Sequence, residues 1–327
     1  MNDRSYYMPK TFYINFRYGV LGENGIPRPS EMPVFLHEVS HLVQDQSTIS
    51  AVINFIFFLD RVQDLRNLIK TGANTLPFRS HDNAKTMWSA VLDDFELLCF
   101  ASKPWPDRSV PWAFERYEIV QKRLQLLGEE RLYPVAIAHF VDNVSNTTME
   151  QPIGIKEIKE AYAVAVERLH GALEPDLFST EFQYVALERI LAQFGEVSPR
   201  QTIAICHWAL QGIFPGARFF ELVEELNSKL QGSSLGCDEE WFDILRQYSI
   251  SDFKARRIEV EQALEKNIAH YEKGAQDDPL AVTLRWYKGV IQQRFDDVES
   301  LSRRFPINTF LATCRIIPQD KITRIAA

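Results

Sequence analysis

The chain has 327 residues, 46% hydrophobic and 24% charged, the proportions of a soluble globular protein long enough to bury a substantial core. A formal net charge of −8 with no concentrated basic stripe speaks against general nucleic-acid binding. Cys99, Cys206, Cys237 and Cys314 stand far apart with no C-x-x-C pair, which argues against both a structural zinc knot and a disulfide scaffold.

The first residues carry no apolar signal-type run. The most apolar stretch, 49–59, is interrupted by Ser50 and Asn54 and is too short to cross a bilayer. The expectation is a cytoplasmic chain with no membrane segment. Residues 11–21, rich in Phe, Tyr, Ile and Val and followed by turn residues at Gly22, Asn24, Gly25, Pro27 and Pro29, predict one strand of a small N-terminal β element. From Pro33 onward helical periodicity dominates, and helices are expected over 33–48, 50–70, 84–101, 112–127, 131–145, 154–170, 180–194, 198–211, 216–230, 239–247, 252–273 and 278–300. Loops are expected at 71–81 and at 102–111, and the short polar segment Gly232–Gly236 marks a candidate boundary.

The most informative segment is His37-Glu38-Val39-Ser40-His41, an H-E-x-x-H motif. Pro33 suits the first turn of a helix, where its missing N–H costs nothing. On that helix His37, His41, Gln44 and Thr48 fall in one narrow wedge, flanked on one side by Phe35, Val39, Leu42 and Ile49 and on the other by Leu36 and Val43. A polar stripe between two apolar flanks suits a buried helix lining a cleft. Two imidazoles one turn apart are good ligands for Zn²⁺, leaving room for a third protein ligand and a water. Glu38 between them is then placed to act as general base, and Gln44, Asp45 and Thr48 to orient the histidines.

This motif resembles the zincin superfamily of zinc metallopeptidases. Gln44 and Ser47 stand where the extended metzincin pattern requires Gly and His, so the resemblance is to the gluzincin type, in which a glutamate from a later helix completes the site. The segment Gly154-Ile-Lys-Glu-Ile-Lys-Glu-Ala-Tyr-Ala is similar to the helix that supplies this ligand. Glu160 is the expected third ligand, because Ala161 and Ala163 beside it permit close helix approach. Glu157, Glu167 and His139 are the alternates. The strongest apolar face of that helix, Ile158, Tyr162, Ala165 and Leu169, lies away from Glu160, and the gap of 119 positions from His41 is long for the type. The string His37-Glu-Val-Ser-His-Leu-Val-Gln with Phe214-Pro-Gly216 is also similar to bacterial H-E-x-x-H proteins of unassigned substrate.

The resemblance implies a mainly α fold: a zincin-like helical domain over 1–232 with a helical insertion at 60–150, a small N-terminal β element, and a C-terminal helical lobe over 233–327. It implies a zinc metallopeptidase that hydrolyses peptide or protein substrates, with Zn²⁺ on His37, His41 and Glu160 and with Glu38 as the catalytic base. Tyr162, Tyr184 and His207 are candidates to stabilise the oxyanion. The alternative is a catalytically silent helical binding or regulatory protein on the same scaffold. Intact Glu38 argues against that alternative. The sequence leaves oligomeric state and cleavage preference open.

Overall fold

The computed structural model describes residues 5–8, 12–16, 19–22, 25, 27–70, 111–126, 129–169, 185–230, 237–274 and 277–300. A short antiparallel hairpin comes first, β1 (Tyr6–Met8) paired with β2 (Tyr13–Asn15). A 3₁₀ turn at Pro29–Glu31 leads into α1 (Met32–Ser47), and α2 (Ile49–Lys70) follows after a single residue. That residue, Thr48, is extended (φ −124°, ψ 144°), and the two helices meet at a bend of 79°. The turn is held by side chains: the Thr48 hydroxyl donates to the Gln44 carbonyl at 2.8 Å, while Gln211 accepts from the Ile49 N–H at 3.2 Å and donates to the Ser47 carbonyl at 3.1 Å. Backbone groups orphaned by the break therefore find partners inside the protein.

An antiparallel sheet follows, in the order β3 (Trp112–Leu126), β4 (Glu129–Asp142) and β5 (Thr148–Ile153). The helices expected at 112–127 and 131–145 are therefore strands, and the described part of the 60–150 insertion consists of the end of α2 and this sheet. The cause lies in the pattern. A bulge between Phe114 and Arg116 shifts the alternation, so the inward aromatics fall at 114 and 117, a spacing that imitates a helix turn. On β4, Ala136, Ala138 and Phe140 are buried and their neighbours Ile137 and Val141 are half-buried, which blurs the period of two.

The remaining helices are α3 (Ile155–Leu169), α4 (Ala186–Leu191), α5 (Pro199–Leu210), α6 (Pro215–Leu230), α7 (Asp238–Glu272) and α8 (Pro279–Ser300). The fold is mainly α, as the sequence predicts, with two small sheets, of which only an N-terminal β element is expected from the sequence. The break expected between 247 and 252 does not occur. Instead α7 runs for 35 residues, about 50 Å at 1.5 Å per residue. Of the helix expected at 180–194, Ala186–Leu191 forms, ending in a 3₁₀ turn at Ala192–Phe194. Among the described residues of the strand expected at 11–21, Tyr13–Asn15 forms a regular strand. The helix expected at 84–101, the loops at 71–81 and 102–110, Tyr184 and the boundary at Gly232–Gly236 lie outside the described residues.

The core centres on α5, whose Ile203, Ala204, Ile205, Cys206, Ala209 and Leu210 are fully buried. Ser198 starts that helix with a capping box: its hydroxyl accepts from the Gln201 N–H, and the Gln201 side chain accepts from the Ser198 N–H. Helix α3 packs between α5 and α1, while α7 and α8, in the expected C-terminal lobe, pack on α1, α2, α5 and α6 and share one apolar core with them. Each fully buried aliphatic side chain contributes roughly 1.5–3 kcal/mol, and this layer fixes the α1–α3 crossing on which the site depends. Among the described residues no single helix is long and apolar enough to cross a membrane.

Candidate metal centre

Helix α1 carries the H-E-x-x-H motif into the interior because Leu36, Val39 and Val43 enter the core on either side of it. Helix α3 faces it with Glu160 and Glu167, two turns apart on one side. The apolar side of α3, with Ile158, Tyr162 and Ala165, is buried as well, so this helix is enclosed on both faces rather than exposing its glutamates. The sequence pattern shows only the stronger apolar face and is silent on the other.

Three donor atoms converge between the two helices. His37 Nε2 and His41 Nε2 lie 3.2 Å apart, and Glu160 Oε2 is 3.3 Å from the first and 3.5 Å from the second. Ligands held at 2.0–2.1 Å around a tetrahedral zinc ion are separated by about 3.3–3.4 Å, and the edges of this triangle, 3.2, 3.3 and 3.5 Å, centre on that spacing. Glu160 Oε2 is buried and, among the described residues, receives no hydrogen bond from outside the trio. Among the described residues these three are the group of His, Cys, Asp or Glu side chains arranged to hold a metal ion. Two imidazoles and one carboxylate are a donor set suited to zinc, and the spacing fits it.

Other contacts orient the donors. Glu167 Oε1 lies 2.5 Å from His37 Nδ1, and Gln44 Oε1 lies 3.2 Å from His41 Nδ1, so each ring has an acceptor on the nitrogen that points away from the cluster. Such acceptors keep the proton on Nδ1 and present the Nε2 lone pair inward. The Gln44 amide donates to the Lys159 carbonyl at 3.3 Å, and Lys159 forms an ion pair with Asp45. The two helices are thus latched beside the donors.

Charge is distributed unevenly. Burial opposes a proton on His37, but the carboxylates of Glu160 and Glu167 outweigh it and push its pKa up to about 10. Burial likewise opposes ionisation of Glu160, yet the two imidazoles hold it well below the usual carboxylate range. Glu38, buried at 7% exposure, has its pKa raised by desolvation against the pull of His37 and His41.

The alternates take other positions. Glu157 is fully buried, and its Oε2 accepts the Gly154 N–H at 2.8 Å at the start of α3. With desolvation dominating, its pKa is pushed up to about 7. Glu167 touches the far nitrogen of His37 instead of joining the triangle. His139 lies on β4 among Arg116, Glu118 and Glu150. Tyr162 is built into the core, and His207 sits beside Gln211 with its pKa lowered by burial to about 4.

Sequence reasoning missed Tyr7 and Lys159. Tyr7 lies on a three-residue strand too short to show a period, and Lys159 reads as a solvated helix residue until Asp45 is placed beside it. Comparison of the chain with protein-family models, curated proteins and solved structures returned no match.

Proposed function

We propose that this protein is a zinc-dependent metallopeptidase of gluzincin type that hydrolyses a peptide bond in a peptide or protein substrate. The observation that carries the reading is the triangle of His37 Nε2, His41 Nε2 and Glu160 Oε2 at zinc-ligand spacing, with Glu38 between the two histidines on the same helix. Zinc held by these three residues supplies Lewis acidity, which acidifies a water molecule and polarises a carbonyl group.

The rest of the chemistry belongs to the chain. With zinc bound, His37 and His41 would present Nε2 to the ion, the proton on His37 Nε2 being displaced, while Glu167 and Gln44 remain on their Nδ1 sides. Glu160 contributes the one negative charge. Glu38 takes the proton from the attacking water and returns it to the departing amine, a double role helped by burial, which raises the pKa of its carboxyl. The aromatic and aliphatic packing around α1 and α3 limits water at the cluster, which strengthens each electrostatic interaction there. The cytoplasmic location expected from the sequence is part of the proposal.

The test compares wild-type protein, loaded with zinc, with Glu38→Gln on a peptide library. The proposal expects cleavage by the wild type and a loss of roughly 10²–10⁴-fold in the variant with zinc content unchanged. Stoichiometric zinc with no cleavage of any peptide by the wild type would favour the silent binding scaffold instead.

A further inference from the structure

Asp45 lies on α1 one turn beyond His41, and Lys159 meets it from α3. Their side chains are only 10% and 12% exposed. Lysine and aspartate are almost never buried unless paired, and here the Lys159 ammonium donates to Asp45 Oδ1. The second oxygen is taken as well. The Tyr7 hydroxyl of β1 donates to Asp45 Oδ2 at 2.8 Å, and the Tyr287 hydroxyl of α8 donates to the Asp45 backbone carbonyl at 2.6 Å. Groups 38, 114 and 242 positions away in the chain thus converge on one residue. The carbonyl of the same Lys159 accepts the Gln44 amide at 3.3 Å, and the Gln44 oxygen faces His41 Nδ1. Side chain and carbonyl of Lys159 are therefore both tied to α1, immediately before Glu160.

α1 and α3 cross antiparallel, with Asp45 beside Lys159 at one end and His37 beside Glu167 at the other. Apolar packing is non-directional, so the buried run Ala161-Tyr162-Ala163-Val164-Ala165 does not by itself select one register of α3. A slip of one residue along a helix is about 1.5 Å, enough to break a zinc–oxygen bond of about 2 Å. A buried ion pair adds little net stability, because desolvation offsets its attraction, but it is satisfied in one arrangement only. We propose that the Asp45–Lys159 pair is the register lock of the metal centre: it fixes α3 along α1 so that the next residue, Glu160, meets His37 and His41. Lys159 is thereby a positioning residue for that ligand. The assignment rests on the metal centre of the proposed function and not on peptide hydrolysis.

The experiment removes both charges together, in the full chain carrying Asp45→Asn and Lys159→Met. No charge is then left buried alone, and asparagine can still accept the Tyr7 hydroxyl. The midpoint of urea unfolding of the metal-free double variant is expected to stay at the wild-type value. Its zinc dissociation constant, from chelator competition, is expected to rise about 10–100-fold. Arg66→Met, which breaks the distant ion pair between α2 and Asp278, is the control: it is expected to lower the midpoint and leave zinc affinity unchanged. Wild-type zinc affinity in the double variant would overturn the lock, and so would a weakening of zinc by Arg66→Met as large as that in the double variant. Crystals of the metal-free double variant supply a second arm that needs neither zinc nor catalysis. Glu160 Oε2 is expected to lie more than about 1 Å farther from both histidine Nε2 atoms than in wild type, a shift on the scale of one residue of helix rise. An intact triangle there would overturn the lock. A wild-type protein that binds no zinc would sink the metal reading, and the crystallographic arm would still decide for or against the lock.

Discussion

Glu157 and Glu160 stand one turn apart on α3 and are driven in opposite directions, which makes Glu157→Gln an informative perturbation. Glu157 is fully buried, and burial raises its pKa from 4.5 to about 7. Below pH 4.5 the carboxyl is protonated in both folded and unfolded protein and costs nothing. Between pH 4.5 and 7 the unfolded chain releases the proton first, so folded stability falls. Above pH 7 the full penalty is in place, about 3 kcal/mol at about 1.4 kcal/mol for each pH unit. Glutamine cannot ionise, and its side-chain carbonyl can still accept the Gly154 N–H. Glu157→Gln is therefore expected to be more stable than wild type by about 3 kcal/mol at pH 8, with the gain shrinking to near zero at pH 4. The assay is urea unfolding of metal-free protein from pH 4 to pH 8. A stability difference that does not change with pH would refute the reasoning. The same variant should keep its zinc, whereas Glu160→Gln should lose it, because only Glu160 has its carboxylate held ionised by two imidazoles.

Glu167→Gln weakens the acceptor on His37 Nδ1, and zinc affinity measured by chelator competition is expected to fall about 10–100-fold with stoichiometry preserved at saturating metal. Gln211→Ala removes both of its hydrogen bonds at the α1–α2 break, and a destabilisation of roughly 1–3 kcal/mol is expected from leaving the buried Ile49 N–H and the part-buried Ser47 carbonyl without that partner, read from denaturant unfolding. Gly216→Ala would place a Cβ 1.9 Å from the Ile153 carbonyl oxygen, a backbone contact that cannot yield without moving β5 or α6. A loss of roughly 1–3 kcal/mol is expected in the same measurement.

Much of this architecture is legible in the chain, and the parts that are not share a physical cause. Helices at α1, α2, α3, α5, α6 and α8 follow from long apolar periods and clear start signals such as Pro33, Ser198-Pro199 and Pro279. The sheet is hidden because the bulge at Phe114–Arg116 shifts one strand's alternation while β4 buries residues on both of its faces. His37, Glu38 and His41 are visible as a local motif. Glu160 is visible only through resemblance and the small residues beside it, since its partners lie 119 and 123 positions away. The orienting contacts from Tyr7, Lys159 and Glu167 depend on packing between β1, α1 and α3, and no local pattern encodes them.

The central claim is a zinc ion held by His37, His41 and Glu160. Diffraction from crystals of the zinc-loaded protein, recorded on either side of the zinc absorption edge, tests it directly. The account predicts one strong anomalous peak per chain, about 2 Å from His37 Nε2, His41 Nε2 and a Glu160 carboxylate oxygen. No peak between α1 and α3, or a peak bound by the histidines with Glu160 turned away, would contradict it.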